Sequence, residues 1–312
     1  MSSFYLNIDY HVTDRCNLNC VSCGHFCPLV PVTTKDISLE QAKKDLAHLY
    51  KVTDNGTKLT YVTLTGGECT MNKELPEIID LAYSLFGDKV RMWSNCINLK
   101  LWSDKLLQTV KKYNLHINIS DYFINDKDEI EELFNKNGIT NFTFYYRPYD
   151  KYDPKISGFF RYFFTEKKFE QHVMCNTVKV ECVQLKDSKI YPCQYAAHLK
   201  YLKDAFPEEF ARMNIREDQQ MYLDISQDNV TFNDLAKFLI EFDSDLCQHC
   251  IDAYVDTIGY VPDERLQLWR RSRKRVDEWI IKDIDTMYRE NMNKNGRLSI
   301  SNQEENFKKL ES

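Results

Sequence analysis

The run CNLNCVSCGHFCP, Cys16 to Pro28, places four cysteines within twelve residues near the start of the chain. A zinc knuckle, a disulfide staple and an iron–sulfur cluster each use such a run, so the spacing has to separate them. Cys16, Cys20 and Cys23 follow the pattern C-x3-C-x2-C. A structural zinc site closes with four ligands, usually in paired C-x2-C units. Three thiolates on one short loop instead leave one iron of a cubane open, and an open iron can chelate a small molecule. Further along, LTGGEC (Leu64 to Cys69) adds Gly66, Gly67 and Glu68. The two glycines let backbone approach a ligand closely, and the acid can pair with an ammonium group.

The rest of the chain narrows the choice. It has 312 residues, 43% of them hydrophobic, with a net charge of −6. That acidic balance argues against a dedicated nucleic-acid binder, which needs a basic surface. No apolar stretch approaches the roughly 20 residues of a membrane span. The N-terminus MSSFYLNIDY has no basic start followed by an apolar run, so a cytoplasmic location is expected. In a reducing compartment, clustered thiols hold metal more often than they form disulfides. The total of eleven cysteines is also odd, which suits disulfides poorly.

From residue 4 to about 147, strand and helix patterns alternate. Strands are expected at 4–13, 58–65, 89–94, 115–120 and 141–147, and helices at 38–53, 73–86, 103–113 and 126–137. Ser38 with Gln41 reads as a capping box, and Ser103 and Asp126 stand at N-cap positions. Such alternation gives an α/β fold with a parallel sheet. The strands themselves alternate too. Asn7, Asp9, His11 and Thr13 share one face of the first strand, against Leu6, Ile8, Tyr10 and Val12 on the other. His116, Asn118 and Ser120 alternate in the same way in the fourth. Parallel sheets seldom leave a face bare, so the polar face is expected to line a wet cavity, with Asp9, His11, His116 and Asn118 as substrate-binding candidates. After residue 150 the rhythm stops. A hairpin is expected over VKVECVQLKDSKIYPC with its turn at Asp187-Ser188, then helices near 232–242 and from 263 to about 290.

The cysteine spacing, the GGE motif one strand later and the βα scaffold together resemble the radical S-adenosylmethionine (radical SAM) superfamily, over residues 4 to about 150. The resemblance implies a partial (βα)6 TIM-like barrel. In it Cys16, Cys20 and Cys23 would hold a [4Fe–4S] cluster whose open iron binds the amino and carboxylate groups of S-adenosylmethionine. Gly66, Gly67 and Glu68 would help hold the methionine amine. An electron from a flavodoxin- or ferredoxin-type donor would cleave the cofactor to a 5′-deoxyadenosyl radical, which takes a hydrogen atom from the substrate. By the same resemblance Ser94-Asn95, Ser120-Asp121 and Arg147, ending the third, fourth and fifth strands, are cofactor-binding candidates. The family often has an aromatic residue just before the third cysteine, near the adenine. Here that residue is Ser22, and Phe26 is the candidate replacement.

Cys175, Cys182, Cys193, Cys247 and Cys250 lie beyond that core and resemble the twitch or SPASM extension of the superfamily, which holds auxiliary clusters. The family spacing selects Cys175, Cys193, Cys247 and Cys250 for one auxiliary [4Fe–4S] cluster, leaving Cys182 as a strand residue or alternate ligand. A structural zinc site could use the same four. The family glycine between the hairpin cysteines is replaced by Ser188. The expected division is a core barrel at 1–150, the end of the barrel with the auxiliary cluster domain at 151–260, a C-terminal helix at 261–292 and a polar, disordered tail at 293–312. Cys27, Cys69 and Cys96 read as small buried hydrophobes, with Cys96 a candidate hydrogen donor to a substrate radical. The expected substrate is a small polar molecule: a sugar, an aminocyclitol or a nucleotide-linked sugar, to be oxidised, dehydrated or epimerised. Maturation of a ribosomally made peptide and a non-catalytic zinc or iron–sulfur module are the alternatives.

Overall fold

Burial alternates in the first strand from Leu6 to Asp9, and from Tyr10 to Thr13 both faces are buried. In β1 (Leu6–Thr13), Leu6, Ile8, Tyr10 and Val12 are all buried in the main core. The computed structural model describes residues 5–18, 23–121, 126–146, 164–165, 183–216, 220–242, 244–250 and 280–281. Within these, β1 is followed by α1 (Leu39–Val52), β2 (Leu59–Gly66), α2 (Leu75–Phe86), β3 (Val90–Ser94), α3 (Asp104–Tyr113), β4 (His116–Asp121), α4 (Lys127–Lys136) and β5 (Phe142–Tyr146). All nine elements stand where the periodicity places them. Each consecutive pair of these strands is parallel.

The helices cover the apolar face. Ile8, Val62, Leu64, Met92, Ile117 and Ile119 from the strands pack with Leu46, Leu49, Ile79, Val110 and Phe134 from the helices. Burying each such side chain contributes about 1.5–3 kcal/mol. Ser38, Ser103 and Asp126 each accept the backbone N–H three residues on, and each cap is worth about 1 kcal/mol. The expected capping box at Ser38 is only half made. Gln41 donates its side-chain amide to Asp45 Oδ1 at 2.8 Å, because that buried carboxylate needs the donor more.

Beyond β5 come β6 (Phe164–Thr165), β7 (Val183–Lys186), β8 (Lys189–Tyr191), α5 (Gln194–Ala205), α6 (Pro207–Met213), β9 (Leu223–Asp224), α7 (Phe232–Ile240), α8 (Asp245–His249) and β10 (Ile280–Ile281). The sheet order is β5-β4-β3-β2-β1-β7-β8-β9. β7 lies parallel to β1, and β8 and β9 follow antiparallel. Among the described residues this is an open α/β sheet of parallel strands widened by a hairpin, not a closed barrel. The hairpin turns at Asp187-Ser188 as expected, and both residues have positive φ, 51° and 56°, as a two-residue turn of this hand requires. Ile280 and Ile281 fall inside the stretch expected to be a long helix, yet they are extended and pair with Phe164 and Thr165. Two adjacent β-branched residues favour that state. The rest of the expected C-terminal helix and the polar tail lie outside the described residues. No helix among the described residues is long and apolar enough to cross a membrane.

Candidate active site

The loop after β1 is fastened from three sides. Thr13 Oγ1 and Arg15 Nε both donate to Asp36 Oδ1, at 2.6 and 2.9 Å. Past the end of β2, Gly67 N donates to Thr13 O and Glu68 N to Arg15 O, both at 2.9 Å. Beyond β3, the Asn95 amide donates to Asn17 Oδ1 at 2.7 Å and stands 3.9 Å from Cys16 Sγ. The GGE segment is therefore tied to the backbone just before the first cysteine, and Asn95 reaches that cysteine itself. The glycines have a local reason: a Cβ on Gly66 would lie 2.0 Å from Thr13 O, and one on Gly67 2.1 Å from Arg15 O. Their close approach is to this chain's own backbone.

Glu68 ties the strand ends together. Its Oε1 accepts from Thr70 Oγ1 at 2.7 Å and Ser94 Oγ at 2.8 Å, and its Oε2 accepts from Asn95 N at 2.7 Å. Burial pushes its carboxyl up, against the pull of those donors. Cys96, one residue beyond Asn95, is buried with φ 48°. Desolvation raises its thiol well above the ordinary cysteine range. Cys69 is raised by the same cause and donates to Trp93 O at 2.8 Å.

Cys16, Cys23 and Cys27 come together. Cys27 lies against both other thiols; contact with Cys16, then Cys23, then burial raise it, while the Cys27 contact lowers Cys23. Cys27 thus stays a protonated thiol, while the Cys23 thiolate is favoured. Cys20 and Ser22 lie outside the described residues. None of the eight described cysteines forms a disulfide. Part-exposed thiols converging on one loop, beside a segment that needs glycine, fit a thiolate-bound cluster.

The other candidates divide. Asp121, 1% exposed at the C-terminal end of β4, pairs with Lys127 at 2.6 Å, and Ser120 is buried beside it. Asn118 is buried with no partner for its Oδ1. His116 stands at the opposite end of β4, where its Nδ1 meets Asn141 Oδ1 at 2.8 Å, a loop contact far from the cysteines along the strand. Phe26 is corrected as an adenine platform: it is fully buried in a small core with Tyr195, Leu202, Leu246 and Cys250. Cys23 and Cys193 pack against that same core. Cys247 lies within α8 and Cys250 caps its C-terminal end, with Cys250 N donating to Cys247 O at 3.2 Å. Cys175, Cys182 and Arg147 lie outside the described residues.

Sequence reasoning named His11 and Asp9 but missed the residues that cover them. His11 is 1% exposed, so the polar face is covered at this point and not an open cavity. Its cover includes His198 of α5 and His25 of the cysteine loop, with ring centroids 4.4 and 4.7 Å from its own. Burial drives His11 down to about 3 and His25 to about 4, and holds His198 well below the ordinary imidazole range. Asp9 accepts from Gln184 Nε2 at 3.2 Å, and desolvation lifts it to about 6. For Asp14, burial opposes ionisation, but Lys186, His11 and Tyr201 outweigh it and hold it low. A lone histidine on a later helix carries no spacing signal, so His198 could not have been found from the sequence.

No protein-family model matches the chain. A curated relative, the uncharacterized protein MJ0907 of Methanocaldococcus jannaschii, is 29% identical over 110 residues, 35% of this chain and 36% of its own length. The match spans about a third of that relative. Among solved structures, BtrN in complex with AdoMet and 2-DOIA aligns at 13% identity and a TM-score of 0.48, covering 89% of this chain and 99% of that one. Streptococcus suis SuiB bound to S-adenosylmethionine gives 13% and 0.37, covering 88% of this chain and 78% of that one. anSMEcpe with bound AdoMet gives 11% and 0.41, covering 92% and 96%. Likenesses with TM-scores this low bear on neither the substrate nor the mechanism of this chain.

Proposed function

We propose that the chain is a radical SAM enzyme acting on a small polar substrate. The observation that supports this reading best is the direct fastening of the GGE segment to residues 13–15, through Gly67 N to Thr13 O and Glu68 N to Arg15 O. A GGE segment held at residues 13–15, with Asn95 at Cys16, suits a site for an amino-acid-bearing cofactor. Cys16, Cys20 and Cys23 would hold the [4Fe–4S] cluster. Reduced by an external electron donor and with S-adenosylmethionine bound, that cluster would supply the one-electron chemistry that yields a 5′-deoxyadenosyl radical.

The chain's own residues prepare the place. The Asn95 amide orients Asn17 beside Cys16, and the buried Cys27 thiol packs against Cys16 and Cys23. Glu68, fixed by Thr70, Ser94 and the Asn95 N–H, offers negative charge at the tips of β2 and β3. The unpaired Asn118 Oδ1 is an acceptor suited to a substrate hydroxyl. Ser120, Asp121 and Arg147 are proposed at the cofactor end of the same sheet, and Cys175, Cys193, Cys247 and Cys250 as ligands of an auxiliary cluster. The shared packing of Cys23, Cys193 and Cys250 on one small core favours two neighbouring sulfur sites.

Anaerobic reconstitution tests this. Two cubanes give about eight irons per chain, and tightly held zinc without iron would contradict the reading. Peptide maturation is the competing use of the same chemistry. Offering a precursor peptide and a set of aminocyclitols to the reduced enzyme decides between them, by which one is converted.

A further inference from the structure

The polar face of the sheet carries two large aromatic rings. Where β3, β4 and β5 run side by side, Trp93 stands in register with Asn118, and Asn118 with Thr143. One step along the same face, Ser120 stands in register with Tyr145. The opposite face holds Met92, Ile117, Ile119 and Phe144, which belong to the main core. β4 lies between the strands of Trp93 and Tyr145, so their rings meet above it, centroids 4.9 Å apart and tilted by 54°.

Two independent observations mark this place as a ligand surface. Tyr145 is 40% exposed and Thr143 is exposed, whereas a parallel sheet seldom leaves a face bare. Beside the rings, Asn118 is 4% exposed, and its side-chain oxygen has no hydrogen-bond partner. A buried amide oxygen without a donor costs stability that a bound donor recovers. An aromatic surface next to an unanswered acceptor is the make-up of a small-molecule site. It also stands near the cysteine loop. Trp93 O accepts from the Cys69 thiol at 2.8 Å, and Asn95, two residues and about 7 Å further on, reaches Cys16.

We propose that Trp93, Tyr145 and Asn118 form the substrate platform, and that the substrate is a saturated ring polyol, a pyranose or a cyclitol. Calling this ligand the substrate rests on the radical SAM reading above; its binding does not. The two rings already touch at a wide angle, so no flat base or phenol side chain fits between them as in a parallel slot. They present one bent apolar surface. A chair-shaped ring offers weakly positive C–H bonds to such aromatic faces and keeps its hydroxyls at the rim. One hydroxyl donates to Asn118 Oδ1. None of the three side chains is charged, which suits a neutral ligand. Tyr145 is on the outermost strand of the described sheet, and a turn of its exposed ring opens the acceptor.

Anaerobic titration calorimetry on the full chain, reconstituted with iron and supplied with S-adenosylmethionine, tests this with three probes. They are myo-inositol, methyl α-glucopyranoside and, as the flat ring, N-acetyltyrosinamide. The two polyols should bind and the flat ring should not. Tyr145→Ala should weaken the polyols roughly tenfold, and Tyr145→Phe, which keeps the ring, should bind as the native chain does. Trp93→Ala and Asn118→Ala should weaken them as well. Since those two changes lie inside the sheet and can unsettle it, the exposed Tyr145 decides. No heat from either polyol, unchanged affinity in Tyr145→Ala, or preference for N-acetyltyrosinamide overturns the proposal. 5′-Deoxyadenosine measured in the same samples separates the two readings. Its formation without polyol binding refutes the platform alone, and polyol binding without it refutes the radical reading alone.

Discussion

A methyl group at Gly67 would press on the Arg15 carbonyl oxygen at 2.1 Å, and one at Gly66 on Thr13 O at 2.0 Å with φ already at +146°. Both neighbours are backbone, so neither gives way cheaply. Gly67→Ala should therefore prise the GGE segment from the cysteine loop, costing roughly 3 kcal/mol or more. Iron bound per chain after reconstitution should fall with it; full loading in a stable variant would contradict the fastening. Cys27 makes the opposite prediction. Its protonated thiol sits against Cys16 and Cys23 without replacing them, so Cys27→Ser should keep the iron that Cys16→Ala loses. Redox titration should find the cluster potential moved, since hydrogen bonds to sulfur tune it. The glycines and the first cysteines were legible because each set stands in its own short motif at the end of a strand. Phe26 was misread: its burial depends on Tyr195 and Leu202, which no local pattern announces.

Elements were the most legible scale, since amphipathic periodicity is local and the parallel strands carry it undisturbed. The hairpin was legible as well, and Ser188 in place of the family glycine now has a cause. Its hydroxyl donates to Asp45 Oδ1 at 2.7 Å and meets His48 Nδ1 at 2.9 Å, pinning the turn to α1. Ser188→Gly should relax the positive φ yet lose both bonds, for a net loss of about 1–2 kcal/mol in denaturant unfolding. Asp45 also accepts from Tyr10 Oη at 3.0 Å. Desolvation raises its pKa above 3.8, with the bonds to Ser188, Gln41 and Tyr10 opposing. A carboxyl raised on folding binds its proton more tightly in the native state, so its contribution is greatest below pH 3.8 and declines as pH rises through the folded value. Asp45→Asn should flatten that decline in unfolding experiments run upward from acid; an unchanged slope would show that Asp45 does not titrate this way.

At the scale of the molecule, sequence alone said least. His11 and His198 are 187 residues apart and meet only because β7 joins β1 and α5 folds back over it. The small core around Phe26 joins the first cysteine loop to α5, α6 and α8, bringing Cys23, Cys193 and Cys250 against one set of side chains. Phe26→Ala should cost about 3–5 kcal/mol and lower iron at both sulfur sites together, read by iron analysis of each single-site cysteine variant. Loss at one site alone would separate them. The central claim is that Cys16, Cys20 and Cys23, in the stretch that follows the backbone fastened to the GGE segment, serve radical chemistry. Its most direct measurement is 5′-deoxyadenosine formed from S-adenosylmethionine by the reconstituted, dithionite-reduced protein. The account predicts formation by the native chain and none when the three cysteines are alanine. Equal amounts from both, or none from a native chain loaded with iron, would contradict it.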